Sequence, residues 1–258
     1  MKNSNSRPDI ACLTETWLSP EIESGLVSIS GYNLVRSDRK LRRGGGTALF
    51  IRNDLYFENV ETETHLPQEI EGTFVDFQTS NLSILCLYIP PHLDAASLSS
   101  IRESIVGMID RHMDLHVERR LIILGDFNHF KAEWLSVDLN LTDMVTKPTR
   151  GTKILDHILI CDRLKLNYDP QKIRYESPIS KSDHLTLIME PIYGLKSPNT
   201  TRMHVVYDYR HSNIDKLLEN AENIDWTLVT DPNDNVNCLL YTSPSPRDLS
   251  TSRMPSSA

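Results

Sequence analysis

The chain has 258 residues, of which 39% are apolar, enough for a sizeable hydrophobic core. Its 27 Lys and Arg residues are outnumbered by 35 Asp and Glu residues, which gives a net charge of -8. This balance argues against a protein that coats nucleic acid, because such binding depends on cationic side chains, but it allows an enzyme with a local basic patch. No stretch is long and apolar enough to span a bilayer, so we expect no membrane partner. The four cysteines suit a reducing, intracellular compartment.

The apolar pattern predicts an α/β fold with mixed sheets. The predicted strands are Asp9–Leu13, Thr47–Ile51, Thr73–Phe77, Leu82–Tyr88, Leu121–Leu124, Ile154–Ile160 and Leu185–Met189. Several are continuously apolar, which is typical of strands that are covered on both faces. Ile101, Ile105 and Ile109 fall on one face of a predicted helix, which Ser97 or a serine after it can cap.

Two polar residues come at the ends of predicted strands in the first half of the chain. Glu15 emerges just after Asp9–Leu13, and Tyr88 closes Leu82–Tyr88. Each has an ordinary structural interpretation when it is taken alone. Glu15 suits a loop or the start of a helix, and Tyr88 suits the edge of a sheet.

The segment Gly125-Asp-Phe-Asn128 follows the apolar strand Leu121–Leu124. We expect Gly125 to let the backbone turn sharply, and Asp126 and Asn128 then project in the same direction because they are two residues apart. The alternative is an Asx-turn that simply ends the strand. A carboxylate and an amide at a strand end are groups that can hold a metal ion and help to attack a phosphate ester.

A second set of polar residues lies further along the chain, between residues 156 and 184. Asp156 interrupts an apolar strand, so its carboxylate needs a partner, and a histidine is the natural one. Asp183 and His184 come directly before the apolar strand Leu185–Met189. Such an adjacent carboxylate and imidazole serve a structural role about as often as a catalytic one.

A cluster of basic residues lies beside Gly44, Gly45 and Gly46. It consists of Arg36, Arg39, Lys40, Arg42 and Arg43. One interpretation is a solvated, flexible loop. The other is a loop that contacts a DNA backbone, with the glycines allowing close approach.

Taken together, these clusters resemble the endonuclease/exonuclease/phosphatase superfamily. The shared motifs are Asp9-Ile10 through Thr14-Glu15-Thr16, Tyr88-x-Pro90, Gly125-Asp-Phe-Asn128, Asp156-His-Ile158 and Ser182-Asp-His184. They occur in the superfamily's order and rough spacing over about Pro8 to Pro191. The resemblance implies a DNase I-like α/β sandwich of two sheets, flanked by helices.

Within that superfamily the chain looks most like the endonuclease domain of non-LTR retrotransposons. The motifs behind this are Glu15-Thr-Trp17-Leu18, Arg36 to Gly46, Lys147-Pro-Thr149-Arg150 and a later helix containing Trp226. The resemblance implies a monomeric, DNA-nicking domain that is natively followed by a reverse transcriptase and acts in the nucleus. It adds Thr149 to the basic cluster as a DNA contact. The alternatives are a phosphoesterase for lipid or inositol phosphates, and an inactive remnant that at most binds nucleic acid.

The resemblance also implies a role for each motif residue. A divalent ion, Mg²⁺ or Mn²⁺, is expected as the cofactor, because carboxylate oxygens are the ligands it prefers. Glu15 is implied to be a metal ligand, with Asp183 near the ion, and Tyr88 is implied to donate a hydrogen bond to a phosphate oxygen. Asp126 is implied to activate the attacking water, and Asn128 to bind that water or the phosphate. His184, supported by Asp156, is implied to stabilise the charge on the phosphate.

The ends of the chain depart from the body. The resemblance implies a domain over residues 1–191 that lacks the superfamily's first strand, and we expect this lack to weaken activity. Residues 192–237 are expected to form a linker and a short amphipathic helix around Leu217. We interpret residues 238–258 as translated sequencing-adapter sequence, with a natural Ser/Pro-rich disordered tail as the alternative.

Overall fold

The computed structural model describes residues 7–40, 43–62, 64–115 and 119–192, all of which lie in the unit Met1–Leu195. The predicted helix around Leu217, the adapter-like segment and Arg42 fall outside the described residues. Within the described ranges, no helix has the length and apolar character needed to cross a membrane.

The described chain forms three β-sheets. The strands are β1 (Ile10–Thr14), β2 (Tyr32–Ser37), β3 (Thr47–Arg52), β4 (Glu58–Val60), β5 (Glu71–Phe77), β6 (Leu82–Tyr88), β7 (Arg120–Asp126), β8 (Leu141–Asp143), β9 (Asp156–Cys161), β10 (Arg174–Glu176) and β11 (Thr186–Ile188). A six-stranded sheet has the order β4-β5-β6-β7-β9-β8, a three-stranded sheet has the order β1-β3-β2, and β10 pairs with β11. Only the β6–β7 pair is parallel among these ladders.

Two α-helices cover one face of the six-stranded sheet. They are α1 (Ala95–Leu115) and α2 (Ala132–Asp138). Ile101, Ile105 and Ile109 of α1 are buried against Leu85 and Ile123 of the sheet. The long β6–β7 crossover carries α1, as a parallel strand pair requires.

The other face of the six-stranded sheet packs against the remaining strands. Leu49 and Ile51 of β3 share a buried apolar cluster with Val75, Cys86 and Ile160 of the larger sheet. The fold is therefore an α/β sandwich, as the resemblance implied. In the described residues both α-helices lie on the same sheet, so the expectation of helices flanking both sheets is met on one side only.

All of the predicted strands are present, and most of their ends are shifted by one or two residues. The strands β2, β4, β8 and β10 and the helix α2 were not predicted. Their apolar runs are too short to stand out in the sequence. Asp94 rather than a serine caps α1, because its Oδ1 accepts a hydrogen bond from the Ser97 amide at 2.7 Å.

Candidate active site

A row of polar side chains crosses one end of the six-stranded sheet, on the face that packs against the three-stranded sheet. Glu71, Tyr88, Asp126 and Asp156 are in register on β5, β6, β7 and β9. Residues in register point to the same side of a sheet, and the other inward positions on these strands are mostly apolar. The sheet therefore brings together groups that lie far apart in the sequence.

Glu15 joins this row from the smaller sheet. It follows β1 directly, and its Oε1 accepts a hydrogen bond of 2.7 Å from the Tyr88 hydroxyl. Burial, followed by the hydrogen bond to Glu15, raises the pKa of Tyr88, so this phenol stays protonated and remains a donor. The two strand-end residues of the first half of the chain are thus direct partners.

Asp126 is the most deeply buried carboxylate of the row, with 2% of its surface exposed. Its Oδ1 accepts a hydrogen bond of 3.1 Å from the Asn128 amide, which is the Asx-turn considered as the structural alternative. Asn128 has φ of 48°, and its Nδ2 donates to the Ile89 carbonyl at 3.0 Å. The turn anchors Asn128 beside Asp126 and leaves the second Asp126 oxygen for other chemistry.

Gly125 allows close packing of neighbouring strands, rather than the sharp turn that the sequence predicted. It lies inside β7, paired with Leu87 and His157. Its φ is 143°, and a Cβ at this position would lie 1.9 Å from the Leu87 carbonyl oxygen. Glycine is therefore required here by the close approach of the neighbouring strand.

Asp156 and His184 form an oriented pair. His184 Nδ1 lies 2.8 Å from Asp156 Oδ2, and both side chains are half-buried. The hydrogen bond to Asp156 raises the pKa of His184, which favours the imidazolium form. Nδ1 is occupied by this bond, so Nε2 is the nitrogen that can reach a substrate.

Negative charge is concentrated around Asp126. Burial, followed by the Asp156 carboxylate, raises the pKa of Asp126 to about 7, and Glu15 adds to the effect. Ligand atoms of Asp126, Asp156 and His184 all lie within 4.8 Å of one another. Three carboxylates facing one imidazole leave an excess of negative charge, so this set of oxygen donors fits a divalent cation.

Asp183 is placed differently from Asp126 and Asp156, whose carboxylates meet at the candidate site. Its side chain is 65% exposed, and its Oδ2 pairs with Arg150 at 2.6 Å. Asp183 Oδ1 lies 3.9 Å from His184 Nε2, so Asp183 borders the site rather than lining its buried part. Its role as a metal ligand stays a prediction.

The predicted DNA contact of Thr149 is wrong. Thr149 has 0% of its surface exposed, and its Oγ1 accepts hydrogen bonds from the amides of Leu155 and Asp156 at 3.1 and 3.2 Å. Thr149 therefore positions the strand that carries Asp156. Exposed basic neighbours, Lys147, Arg150 and Lys153, are the groups of this segment that can reach a phosphate.

Arg36 and Arg39 also have structural roles rather than the predicted DNA contacts. Arg39 is 8% exposed and makes two hydrogen bonds, of 2.6 and 2.8 Å, to the Glu71 carboxylate. Arg36 lies 3.2 Å from Asp38 and donates to the Ile22 carbonyl at 2.5 Å. Lys40 and Arg43 are exposed and keep the predicted position at the surface.

Glu71 is a site residue that the sequence did not point to. It is 4% exposed, binds Arg39, and accepts a hydrogen bond of 3.2 Å from the Gly46 amide. Arg39 in turn lies 5.3 Å from the centre of the Tyr88 ring. Glu71 thus connects the glycine segment to Tyr88, although no local pattern around Glu71 indicates it.

The family model of the endonuclease/exonuclease/phosphatase family matches residues 3–184. The chain belongs to this family. Members of the family are hydrolytic nucleases and phosphatases, and they generally use divalent metal ions. No curated protein sequence gives a significant match to the chain.

Solved structures of the same fold have low sequence identity to this chain. A 3′ phosphatase, NExo, from Neisseria, bound to a product DNA hairpin, matches with a TM-score of 0.53 and 17% identity over 73% of this chain and 91% of that one. The human Nocturnin catalytic domain, with bound sulfate, matches with a TM-score of 0.51 and 20% identity over 71% and 80%. The endonuclease domain of TRAS1, a telomere-specific non-LTR retrotransposon, matches with a TM-score of 0.50 and 16% identity over 71% and 85%. These similarities establish the DNase I-like fold.

Proposed function

We propose that this chain is a metal-dependent phosphodiesterase that nicks DNA, of the type found in non-LTR retrotransposons. One observation carries the proposal: Asp126, the Asp156–His184 pair and the Glu15–Tyr88 pair meet at one edge of the sandwich. Hydrolysis of a phosphate ester needs a base, a cationic group and a held anion site, and these residues supply all three.

The proposed reaction begins with water activation by Asp126. A carboxylate with a pKa of about 7 is well matched to accept a proton near neutral pH. His184, kept in its charged form by Asp156, offsets the negative charge that builds on the phosphorus oxygens. Tyr88 remains a hydrogen-bond donor at the same edge.

Mg²⁺ or Mn²⁺ is the proposed cofactor, with Glu15, Asp126 and Asp156 as its possible oxygen ligands. When bound, such an ion supplies Lewis-acid stabilisation of the phosphate and of the leaving oxygen. Asp183 remains a candidate ligand at the rim.

Exposed cations beside the site favour a polyanionic substrate such as DNA. Lys147, Arg150 and Lys153 surround the buried Thr149, whose hydroxyl contacts the Asp156 amide. Arg43 lies over the ring of Trp17, two residues after Glu15, and precedes the glycines that pair with Thr16 and Trp17. Cations on two sides of a phosphate site suit contacts to a continuous backbone. The retrotransposon motifs support action on nuclear DNA and a native reverse transcriptase partner.

The test is nicking of supercoiled plasmid by the chain with Mg²⁺ or Mn²⁺ and with excess EDTA. We expect nicked circles only when a divalent ion is present. Asp126→Ala and His184→Ala should each lower the rate by about a hundredfold or more, the usual scale for a lost base or charge-stabilising group. Leu166→Ala, which changes a side chain 85% exposed near the opposite edge, is the matched control.

The outcomes separate the rival functions. Nicking that survives EDTA, or that Asp126→Ala leaves unchanged, contradicts the metal-dependent mechanism. Phosphate release from inositol phosphates without any action on DNA points to a phosphatase. DNA binding without hydrolysis of either substrate points to an inactive remnant.

A further inference from the structure

Trp17 is a large aromatic residue held at the surface beside the active site. Its side chain is 53% exposed, although it lies only two residues beyond Glu15. Two residues of extended chain span roughly 7 Å, so the Trp17 backbone lies within that distance of the Glu15 backbone. A surface tryptophan this close to a catalytic edge calls for a physical explanation.

The backbone holds Trp17 in place at a conformational cost. Trp17 has φ of 57°, and Glu15 has φ of 50°, a region that L-residues other than Asn, Asp and His seldom adopt. The Trp17 amide donates to the Gly45 carbonyl at 2.9 Å, and the Thr16 amide pairs with the Gly46 carbonyl at 3.4 Å. A costly backbone shape that exposes an apolar ring does not improve packing.

The glycine segment is built to support this arrangement. Gly44, Gly45 and Gly46 have φ of 92°, 72° and 91°. A Cβ on Gly45 would lie 2.5 Å from the Arg39 guanidinium carbon, and one on Gly46 would lie 2.4 Å from Thr16 Oγ1. The glycines therefore permit close packing of residues 44–46 against Arg39 and Thr16.

A cationic side chain, that of Arg43, lies beside the exposed Trp17 ring. The Arg43 guanidinium carbon lies 5.3 Å from the centre of the Trp17 ring, within cation–π range. An exposed indole beside an arginine is the combination on which proteins stack unpaired nucleobases, because every base offers a π-face and every nucleotide a phosphate. The Gly44 Cα faces the same ring, with an ideal Cβ 3.8 Å from its Cε2 atom.

We propose that Trp17 and Arg43 form a stacking site for an unpaired DNA base next to the phosphodiester that is cut. The inference rests on the proposed function and narrows its substrate to DNA that is locally melted or single-stranded near the cleavage point. Base pairs in an intact duplex stack on one another, so a base reaches the Trp17 ring only after it has left the stack.

The test is a binding measurement that needs no catalysis. Fluorescein-labelled 30-mers, one fully paired and one with a central five-nucleotide bubble, are titrated with the chain in EDTA and followed by anisotropy. We expect the bubble to bind about tenfold more tightly than the duplex, within the range for one base stacked on an aromatic ring.

Three variants assign the preference to the indole ring. Trp17→Ala should remove the bubble preference, while Trp17→Phe should retain most of it because an aromatic face remains. Tyr56→Ala is the matched control, because Tyr56 is 65% exposed and follows β3 near the opposite edge of the sheet. Circular dichroism and thermal melts check that each variant folds like the parent.

Equal binding of bubble and duplex by the parent would overturn the inference, and so would a bubble preference that Trp17→Ala retains. Either result leaves plasmid nicking and its dependence on Asp126 untouched. Conversely, a bubble preference that depends on Trp17 in a chain without metal-dependent nicking would support the stacking site and contradict the proposed enzyme. The failures of the two proposals are therefore distinguishable.

Discussion

Two buried aspartates at opposite ends of the six-stranded sheet have opposite electrostatics. Asp126 is 2% exposed and Asp76 is 4% exposed, so both carboxylates have lost nearly all contact with water. Burial raises the pKa of Asp126 to about 7, and its carboxylate neighbours increase that effect. Burial alone would also raise the pKa of Asp76, but hydrogen bonds from His112 and Ser83 lower it below its usual value.

The partners explain the difference. Asp76 Oδ1 accepts a bond of 2.6 Å from Ser83 Oγ and lies 3.1 Å from His112 Nε2, and Oδ2 lies 3.4 Å from Arg119. Among the described residues, the Asp126 carboxylate accepts one hydrogen bond, from the backbone amide of Asn128. A carboxylate with satisfied partners stabilises the fold, whereas one left short of them is poised for a metal ion and a proton.

The largest expected effect comes from Asp76→Asn. Loss of the charge leaves Arg119 buried without its ionic partner, and breaking a buried pair in this way costs about 3–5 kcal/mol of unfolding free energy. Chemical denaturation at pH 7 measures it. The lowered pKa means that the carboxylate stabilises the fold above about pH 4. The difference from the parent should therefore shrink as the pH falls further. A constant difference down to pH 2 would contradict this account.

The same substitution at Asp126 should act in the opposite direction. The folded-state pKa of Asp126 lies above its unfolded value, so the ionised carboxylate destabilises the fold at pH 8. Asp126→Asn should raise the unfolding free energy there by roughly 2–4 kcal/mol, and should have almost no effect near pH 4, where the parent is protonated in the folded state. Thermal melts in EDTA at both pH values test it, and a destabilised variant at pH 8 would refute it.

The smallest expected effect comes from Ser83→Ala. This change removes one hydrogen bond to Asp76 and leaves the His112 hydrogen bond and the Arg119 ion pair, so the cost should be about 1 kcal/mol. Denaturant melts of Ser83→Ala and Asp76→Asn, alone and combined, measure the coupling. Additive losses would show that Ser83 acts independently of Asp76.

The motif residues of the candidate site could be predicted because each lies within or next to a strongly apolar strand. Asp126 and Asp156 fall on the alternation that places them on the inward face, and His184 precedes the last strand. Such interruptions are costly unless the polar group has a partner or a function. The roles of the basic cluster were harder to predict, because a row of arginines has the same sequence pattern whether its members face solvent or a buried carboxylate.

The sequence alone determined seven of the strands, the α/β class, the family resemblance and most of the residues that meet at the site. These follow from local apolar periodicity and from motifs that are short and contiguous. Only the tertiary structure decided that Arg39 is buried against Glu71, that Thr149 supports Asp156, and that Trp17 is exposed beside Glu15. Those outcomes depend on contacts between segments far apart in the chain, and burial, pairing and pKa are set by such neighbours rather than by the local sequence.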